Sequence, residues 1–162
     1  ELAAHLKEET ERLGLPMPRF LMEPGRSIVA DAGMTLYTVG SVKRIPGYKQ
    51  YVAIDGGMTD NPRYALYQSR YTVLHGSRTG NEERFDVVGR CCESGDLIQE
   101  NAPIRTCTPG DVLAVLATGA YNYSMSSNYN RLPRPAVVMV REGTSRVVVK
   151  AETYEDLIRN DL

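Results

Sequence analysis

From about Gly33 onward the chain is a succession of short segments in which apolar residues recur at every second position, each segment ended by Gly, Pro, Asn or Asp. A period near two marks strands half-buried against a core, which restricts this stretch to sheet architectures. Candidate strands cover residues 35–44, 50–54, 71–75, 84–91 and 112–117, followed by a pair at 136–141 and 146–151. The turn around Glu142-Gly143-Thr144 reads that last pair as a hairpin. Many short strands with Gly and Pro punctuation predict a mainly β fold, an antiparallel β-sandwich or Greek-key barrel. Residues 155–159 are expected to add one closing helical turn.

The first 30 residues follow a different rhythm. Leu2, Leu6 and Leu13 fall at helical spacing, with Lys7, Glu8, Glu9, Glu11 and Arg12 as the wet face and Gly14 where the helix would end. Arg19-Phe20-Leu21-Met22 then reads as a short buried strand that stops at Glu23-Pro24-Gly25-Arg26. A helix followed by one buried strand belongs to an α/β unit. Two parts are therefore expected, residues 1–30 and residues 31–162. The opening at Glu1, directly in a helical pattern and without an initiator Met, predicts a piece of a longer chain.

Nineteen basic residues against twenty acidic ones leave a formal charge of −1, which offers no bulk attraction to nucleic acid or to an anionic membrane. No apolar run approaches the ~18 residues of a membrane span, and the N-terminal residues contain no signal-peptide core. Cys91, Cys92 and Cys107 are odd in number and lack metal-ligand spacing, so neither a disulfide framework nor a metal site is expected. The compartment this implies is the reducing cytoplasm.

Four segments carry side chains suited to chemistry. In Glu23-Pro24-Gly25-Arg26-Ser27, Gly25 lets backbone approach a ligand, so its N–H and that of Arg26 can hold a phosphate while the guanidinium holds a carboxylate; an ordinary Pro-Gly turn fits equally. In Asp60-Asn61-Pro62-Arg63-Tyr64-Ala65-Leu66-Tyr67, one helical turn would set Arg63 and Tyr67 at i and i+4, able to clamp one anionic group; a solvated Arg beside a packed Tyr is the other possibility. Gly89-Arg90-Cys91-Cys92-Glu93-Ser94-Gly95-Asp96 puts a thiol beside a carboxylate at a strand end, the makings of a proton donor and an orienting neighbour, although buried structural cysteines are commoner. Residues 118–130 crowd Tyr, Asn and Ser after an apolar strand, in a chain with ten Tyr, two Phe and no Trp.

Taken together and in order, EPGRSIVADAG, IDGGMTDNPRYALY, VVGRCCESGD and TGAYNYSMSSNYN resemble the diaminopimelate decarboxylase family over essentially the whole chain. These are fold-type III pyridoxal-phosphate enzymes that convert meso-2,6-diaminopimelate to L-lysine and CO2. The resemblance implies the end of a (β/α)8 barrel over residues 1–30 and the C-terminal β domain after it, in a homodimer with active sites shared between subunits. Carried across, Glu23, Pro24, Gly25 and Arg26 are expected at the cofactor phosphate, with Arg26 also on a substrate carboxylate. Arg63 and Tyr67 correspond to substrate ligands, Cys92 to the proton donor, Glu93 to a substrate-binding carboxylate, and Tyr121 to a residue touching both cofactor and substrate. Cys92 and Glu93 are expected to serve the opposite subunit. By the same alignment Cys91 is the wrong member of the vicinal pair.

The family's cofactor-bearing lysine has no counterpart. Lys7, Lys43, Lys49 and Lys150 all lie in unrelated contexts, so this stretch alone is expected neither to hold the cofactor covalently nor to turn over. Rival readings are a related decarboxylase acting on ornithine, lysine or arginine, whose thiol is typically followed by Asp rather than Glu, or a non-catalytic β domain for dimerisation.

Overall fold

The computed structural model describes residues 1–76 and 80–162. Six strands form one sheet: β1 (Met34–Arg44), β2 (Gln50–Ile54), β3 (Val73–His75), β4 (Glu82–Val88), β5 (Leu97–Arg105) and β6 (Val112–Leu116), in the order β3-β6-β1-β2-β4-β5. The two edges of this sheet approach each other, with β3 against β5 and the Tyr71 N–H donating to Gln99 Oε1 at 2.7 Å. The result is a nearly closed barrel. Phe85, Val87, Val52, Ile98, Leu113 and Val115 are fully enclosed in it, each contributing about 1.5–3 kcal/mol by leaving water.

Two features depart from the sequence expectation. The sheet is mixed, because β2 pairs with β4 in parallel, Tyr51 opposite Asp86 and Ala53 opposite Val88. Residues 55–81 between them, including the helix α3 (Arg63–Tyr67) and β3, return the chain to its starting end, as a parallel pair requires. In addition, β5 is absent from the sequence-read strands. Its centre, Gln99-Glu100-Asn101, is polar and Pro103 follows, which hides the alternation of buried Ile98, Ala102 and Ile104. Asn101 sits at φ 50° in a bulge where Phe85 pairs with Ala102 but Val87 with Gln99, and its N–H is satisfied by Asp86 Oδ1 at 2.8 Å.

Strand direction decides where the loops gather. Both β2 and β6 run antiparallel to β1, and β4 runs parallel to β2. Hence β2, β4 and β6 all point the same way, and the segments that follow them open on one rim.

At the N-terminus, α1 (Leu2–Arg12) buries only Thr10. The strand expected at Arg19–Met22 does not form. Phe20, Leu21 and Met22 are exposed, and no strand among the described residues lies beside them to accept a ladder. Regular structure resumes at α2 (Arg26–Val29), with a 3₁₀ turn over Ala30–Ala32.

Beyond the barrel come α4 (Asn122–Met125), the hairpin β7 (Val137–Arg141) and β8 (Thr144–Val149), and α5 (Tyr154–Ile158). Glu142 and Gly143 both have positive φ, 50° and 75°, the two-residue turn that matches strand twist. Thr153 caps α5 through reciprocal hydrogen bonds with Asp156, which places its first residue at Tyr154. Both ends of the hairpin are pinned by Glu152, which accepts from Arg134 Nη2 at 2.5 Å, Arg134 N at 2.9 Å and Asn128 Nδ2 at 2.5 Å.

Hydrogen bonding to Arg134 holds the Glu152 carboxyl down to about 2. Its ionised form therefore stabilises the fold fully above its ordinary value of 4.5, and that contribution disappears as the pH falls through about 2. Urea unfolding across that range should show Glu152→Gln clearly less stable than the parent sequence near neutrality, with the gap narrowing progressively on acidification. A gap constant with pH would contradict the pinning.

Candidate active site

At the rim, the loop ending in Gly25 and Arg26 meets the segment following β6. Arg26 donates from Nη1 to Ala120 O at 3.0 Å and from Nη2 to Ala117 O at 3.4 Å. The Gly119 N–H donates to Ala30 O, and a Cβ on Gly119 would lie 2.0 Å from Val29 O, so only glycine permits this approach. Gly25 is constrained likewise, since a Cβ there would lie 2.1 Å from the Tyr121 hydroxyl.

Helix α3 enters the same cluster from the loop after β2. The Arg63 guanidinium lies 5.1 Å from the Tyr67 ring centroid and 5.7 Å from that of Tyr121, and Nη1 is 3.6 Å from Met125 Sδ. Its Nε is buried without a partner. The expected i, i+4 pairing of Arg63 and Tyr67 is therefore present, with Tyr121 as a third member. Gly25, Arg26, Arg63, Tyr67 and Tyr121 come together from three distant parts of the sequence, whereas Glu23 and Pro24 are exposed at the entrance to this loop.

Cys92 and Glu93 form a second cluster, which no hydrogen bond or ring contact among the described residues joins directly to the first. The thiol of Cys91 points inward, 3.9 Å from Thr59 Oγ1, and burial raises its pKa. Cys92, at φ 53°, is exposed. Glu93 accepts from the Tyr129 hydroxyl at 3.1 Å and from Ser94 N at 2.9 Å, and the Asn130 amide donates to Cys91 O at 2.5 Å. Tyr129 and Asn130 belong to the polar stretch singled out in the sequence but received no role there.

Asp96 organises this turn. Its buried carboxylate accepts from Cys91 N at 2.6 Å and from Met58 N at 2.7 Å, binding the thiol loop to the loop after β2. Gly57 and Gly89 make room for it, because a Cβ on either would lie within 2.4 Å of the carboxylate. Sequence reasoning missed this residue. The glycines at 57 and 89 are its only local signal, and they become one only when the two loops are adjacent.

Among the lysines, Lys49 is held between Asp86 at 2.6 Å and Glu100 at 3.3 Å, hydrogen bonds that keep its ammonium strongly protonated. An amine held charged is a poor nucleophile toward a carbonyl. Lys7 pairs with Glu11 at 3.7 Å on the exposed face of α1, and Lys43 and Lys150 are exposed.

Residues 27–119 match the family described as the pyridoxal-dependent decarboxylase C-terminal sheet domain. The chain belongs to this family. It is 52% identical over 159 residues to the diaminopimelate decarboxylase of Bacillus subtilis, covering 97% of this chain and 36% of that protein. Among solved structures, the Helicobacter pylori diaminopimelate decarboxylase complexed with L-lysine is 33% identical with a TM-score of 0.82, covering 98% of this chain and 39% of that one. A Vibrio vulnificus lysine/ornithine decarboxylase complexed with cadaverine is 26% identical with a TM-score of 0.63, covering 78% and 35%. The chain thus spans little more than a third of the length of the curated relatives it matches. No helix among the described residues is long and apolar enough to cross a membrane.

The three thiols differ in exposure in a way that alkylation reads directly. Burial raises the pKa of Cys91 and takes that of Cys107 to about 11, while Cys92 faces solvent. Brief treatment with iodoacetamide should modify Cys92 first, located by peptide mass mapping, with the other two reacting only on unfolding. Faster labelling of Cys91 would reverse the assignment of the exposed thiol.

Proposed function

We propose that the chain is the sheet-domain portion of a cytoplasmic, pyridoxal-phosphate-dependent enzyme that decarboxylates meso-2,6-diaminopimelate to L-lysine and CO2. It acts in a homodimer whose active sites draw on both subunits. Residues 1–30 contribute the last piece of a (β/α)8 barrel, and residues 31–162 form the sheet domain. The observation that carries the reading is the Arg63 guanidinium held between Tyr67 and Tyr121 with a buried, unpartnered Nε.

Each residue has work suited to its chemistry. Arg63 and Arg26 are the cations for carboxylate, and a guanidinium matches that planar group with paired donors. In this structure Arg26 also fixes the distance between its own loop and Tyr121 by bonding to the carbonyls of Ala117 and Ala120. Gly25, with no Cβ, lets the Tyr121 hydroxyl pack directly against the loop backbone. For a phosphorylated cofactor at this loop the N–H groups of Gly25 and Arg26 are the donors, with Glu23 and Pro24 shaping the entry. When bound, pyridoxal phosphate supplies the electron sink that accepts the pair released as the bond to carboxylate breaks. Cys92 supplies the proton that the α-carbon takes up after CO2 leaves. Glu93 holds the distal ammonium, an end of the substrate that takes no part in bond breaking.

The separation of Cys92 and Glu93 from Arg63 and Tyr121 within one chain supports assigning them to different active sites of a dimer. Exposure of Cys92 supports it over Cys91 as the donor. The environment of the four lysines supports placing the covalent cofactor attachment elsewhere in the longer protein, so the chain alone is inactive. The closer match to diaminopimelate decarboxylases, together with Glu93 after the thiol, favours diaminopimelate over lysine, ornithine or arginine as substrate.

Full-length enzyme assayed on meso-diaminopimelate and on L-lysine should decarboxylate the first and leave the second. Preference for lysine would overturn the substrate assignment. In the same protein, Cys92→Ala should lower kcat by roughly 10²- to 10⁴-fold, the range for loss of an acid catalyst, with the cofactor absorbance retained. Loss of both together would make Cys92 a structural thiol.

A further inference from the structure

The loop after β2 reaches α3 through a tight turn over residues 57–61. The N–H groups of Asp60 and Asn61 both donate to Gly57 O, at 3.1 and 3.0 Å. Asp60 turns its carboxylate into this turn, where Oδ1 accepts from Gly57 N at 3.0 Å and from Thr59 Oγ1 at 3.2 Å. Its Oδ2 accepts from the hydroxyl of Tyr37 on β1. Tyr37 is only 4% exposed, and a Cβ on Gly56 would lie 2.2 Å from its ring, so the phenol fills the space beneath the turn.

Nothing in barrel packing requires a carboxylate here. A half-buried carboxylate gives up much of its hydration, and an apolar pair of the same size can stabilise a core as well. What Asp60 provides is direction: two hydrogen bonds close the turn on itself, and the third, from Tyr37, fixes it relative to β1. The turn leads straight into the site: fully buried Asn61 accepts from the Arg63 N–H at 3.4 Å, and α3 begins at Arg63. A helix of five residues is too short to be stable by its own hydrogen bonds, so its orientation is set by what precedes it. The same turn accepts the Ser127 N–H through Thr59 O at 2.8 Å, which ties in the segment carrying Tyr121.

We infer that Asp60, anchored by Tyr37, is a positioning residue that sets the Arg63 guanidinium between Tyr67 and Tyr121 and thereby governs how firmly the substrate carboxylate is held. The inference rests on the functional reading above. It concerns binding of the amino acid and leaves the cofactor and the proton donor untouched.

The experiment uses the full-length holoenzyme. Tyr37→Phe removes a single oxygen and keeps the ring. KM for meso-diaminopimelate should rise about tenfold, the scale of one lost hydrogen bond to a charged group, with kcat within about threefold of wild type. The inhibition constant of L-lysine should rise by the same factor, with cofactor absorbance and occupancy unchanged. Asp60→Asn should show the same split, and the double variant should be no worse than the more affected single variant, because the two side chains act as a unit. Should Tyr37→Phe be insoluble, Asp60→Asn gives the same readout alone. A soluble variant with lowered Tm but KM and lysine inhibition within about twofold of wild type would reduce the pair to a core hydrogen bond and overturn the inference. Wild-type inactivity on meso-diaminopimelate would instead refute the functional reading. In that case direct binding of L-lysine to the wild-type and variant proteins still reads the hold on a carboxylate, and equal affinities would overturn the inference.

Discussion

The parallel pairing of β2 with β4 is the constraint on which the arrangement of this domain depends. It spans only three residue pairs, from Tyr51 opposite Asp86 to Ala53 opposite Val88. Were β4 antiparallel to β2 instead, the loop after β4 would open at the far end of the barrel from the loop after β2. Parallel pairing puts them side by side, and the Asp96 carboxylate then bridges Cys91 N and Met58 N. β6 points the same way, so the segment carrying Tyr121 joins them, and Gly33 and Gly119 let the residues before β1 close over it.

A buried and a half-buried carboxylate, Asp96 and Asp60, do the organising at this rim, in a manner that complements the apolar core. The barrel interior supplies the favourable burial and fixes the strands. Asp96 and Asp60 spend part of that stability on orientation, each accepting several backbone or hydroxyl donors. Both act on the turn over residues 57–61, Asp96 from the thiol loop and Asp60 from within. The turn therefore connects Cys92 and Glu93 with Arg63 and Tyr67, although no hydrogen bond or ring contact among the described residues joins the two groups directly. In a dimer with shared sites, that connection would run from one active site to the other.

Much of this was legible in the residues. Period-two alternation located most of the strands, and the segments richest in Gly, Arg, Tyr and Cys proved to be the loops at the rim. The strand direction was not legible, because alternation reports which face is buried and is silent on which end a strand enters. The strand β5 escaped notice because Glu100 and Pro103 interrupt its pattern while Asp86 satisfies its bulge from the neighbouring strand. Arg19–Met22 differs in the opposite sense: its composition suits a strand, but a strand needs a partner and none among the described residues lies alongside. Asp60 and Asp96 read as ordinary loop acids until Tyr37, Gly57 and Gly89 are seen around them.

The central claim is that the two clusters of one chain serve two different active sites. It is tested most directly by subunit complementation in the full-length enzyme. Arg63→Ala and Cys92→Ala, each inactive alone, are co-expressed with different tags and the mixed dimer is isolated. One of its two sites then carries both substitutions and the other carries neither, so the mixed dimer should recover about half of wild-type activity, or roughly a quarter in an unsorted mixture of dimers. Activity no higher than that of the single variants would place both clusters in the same site and contradict the account.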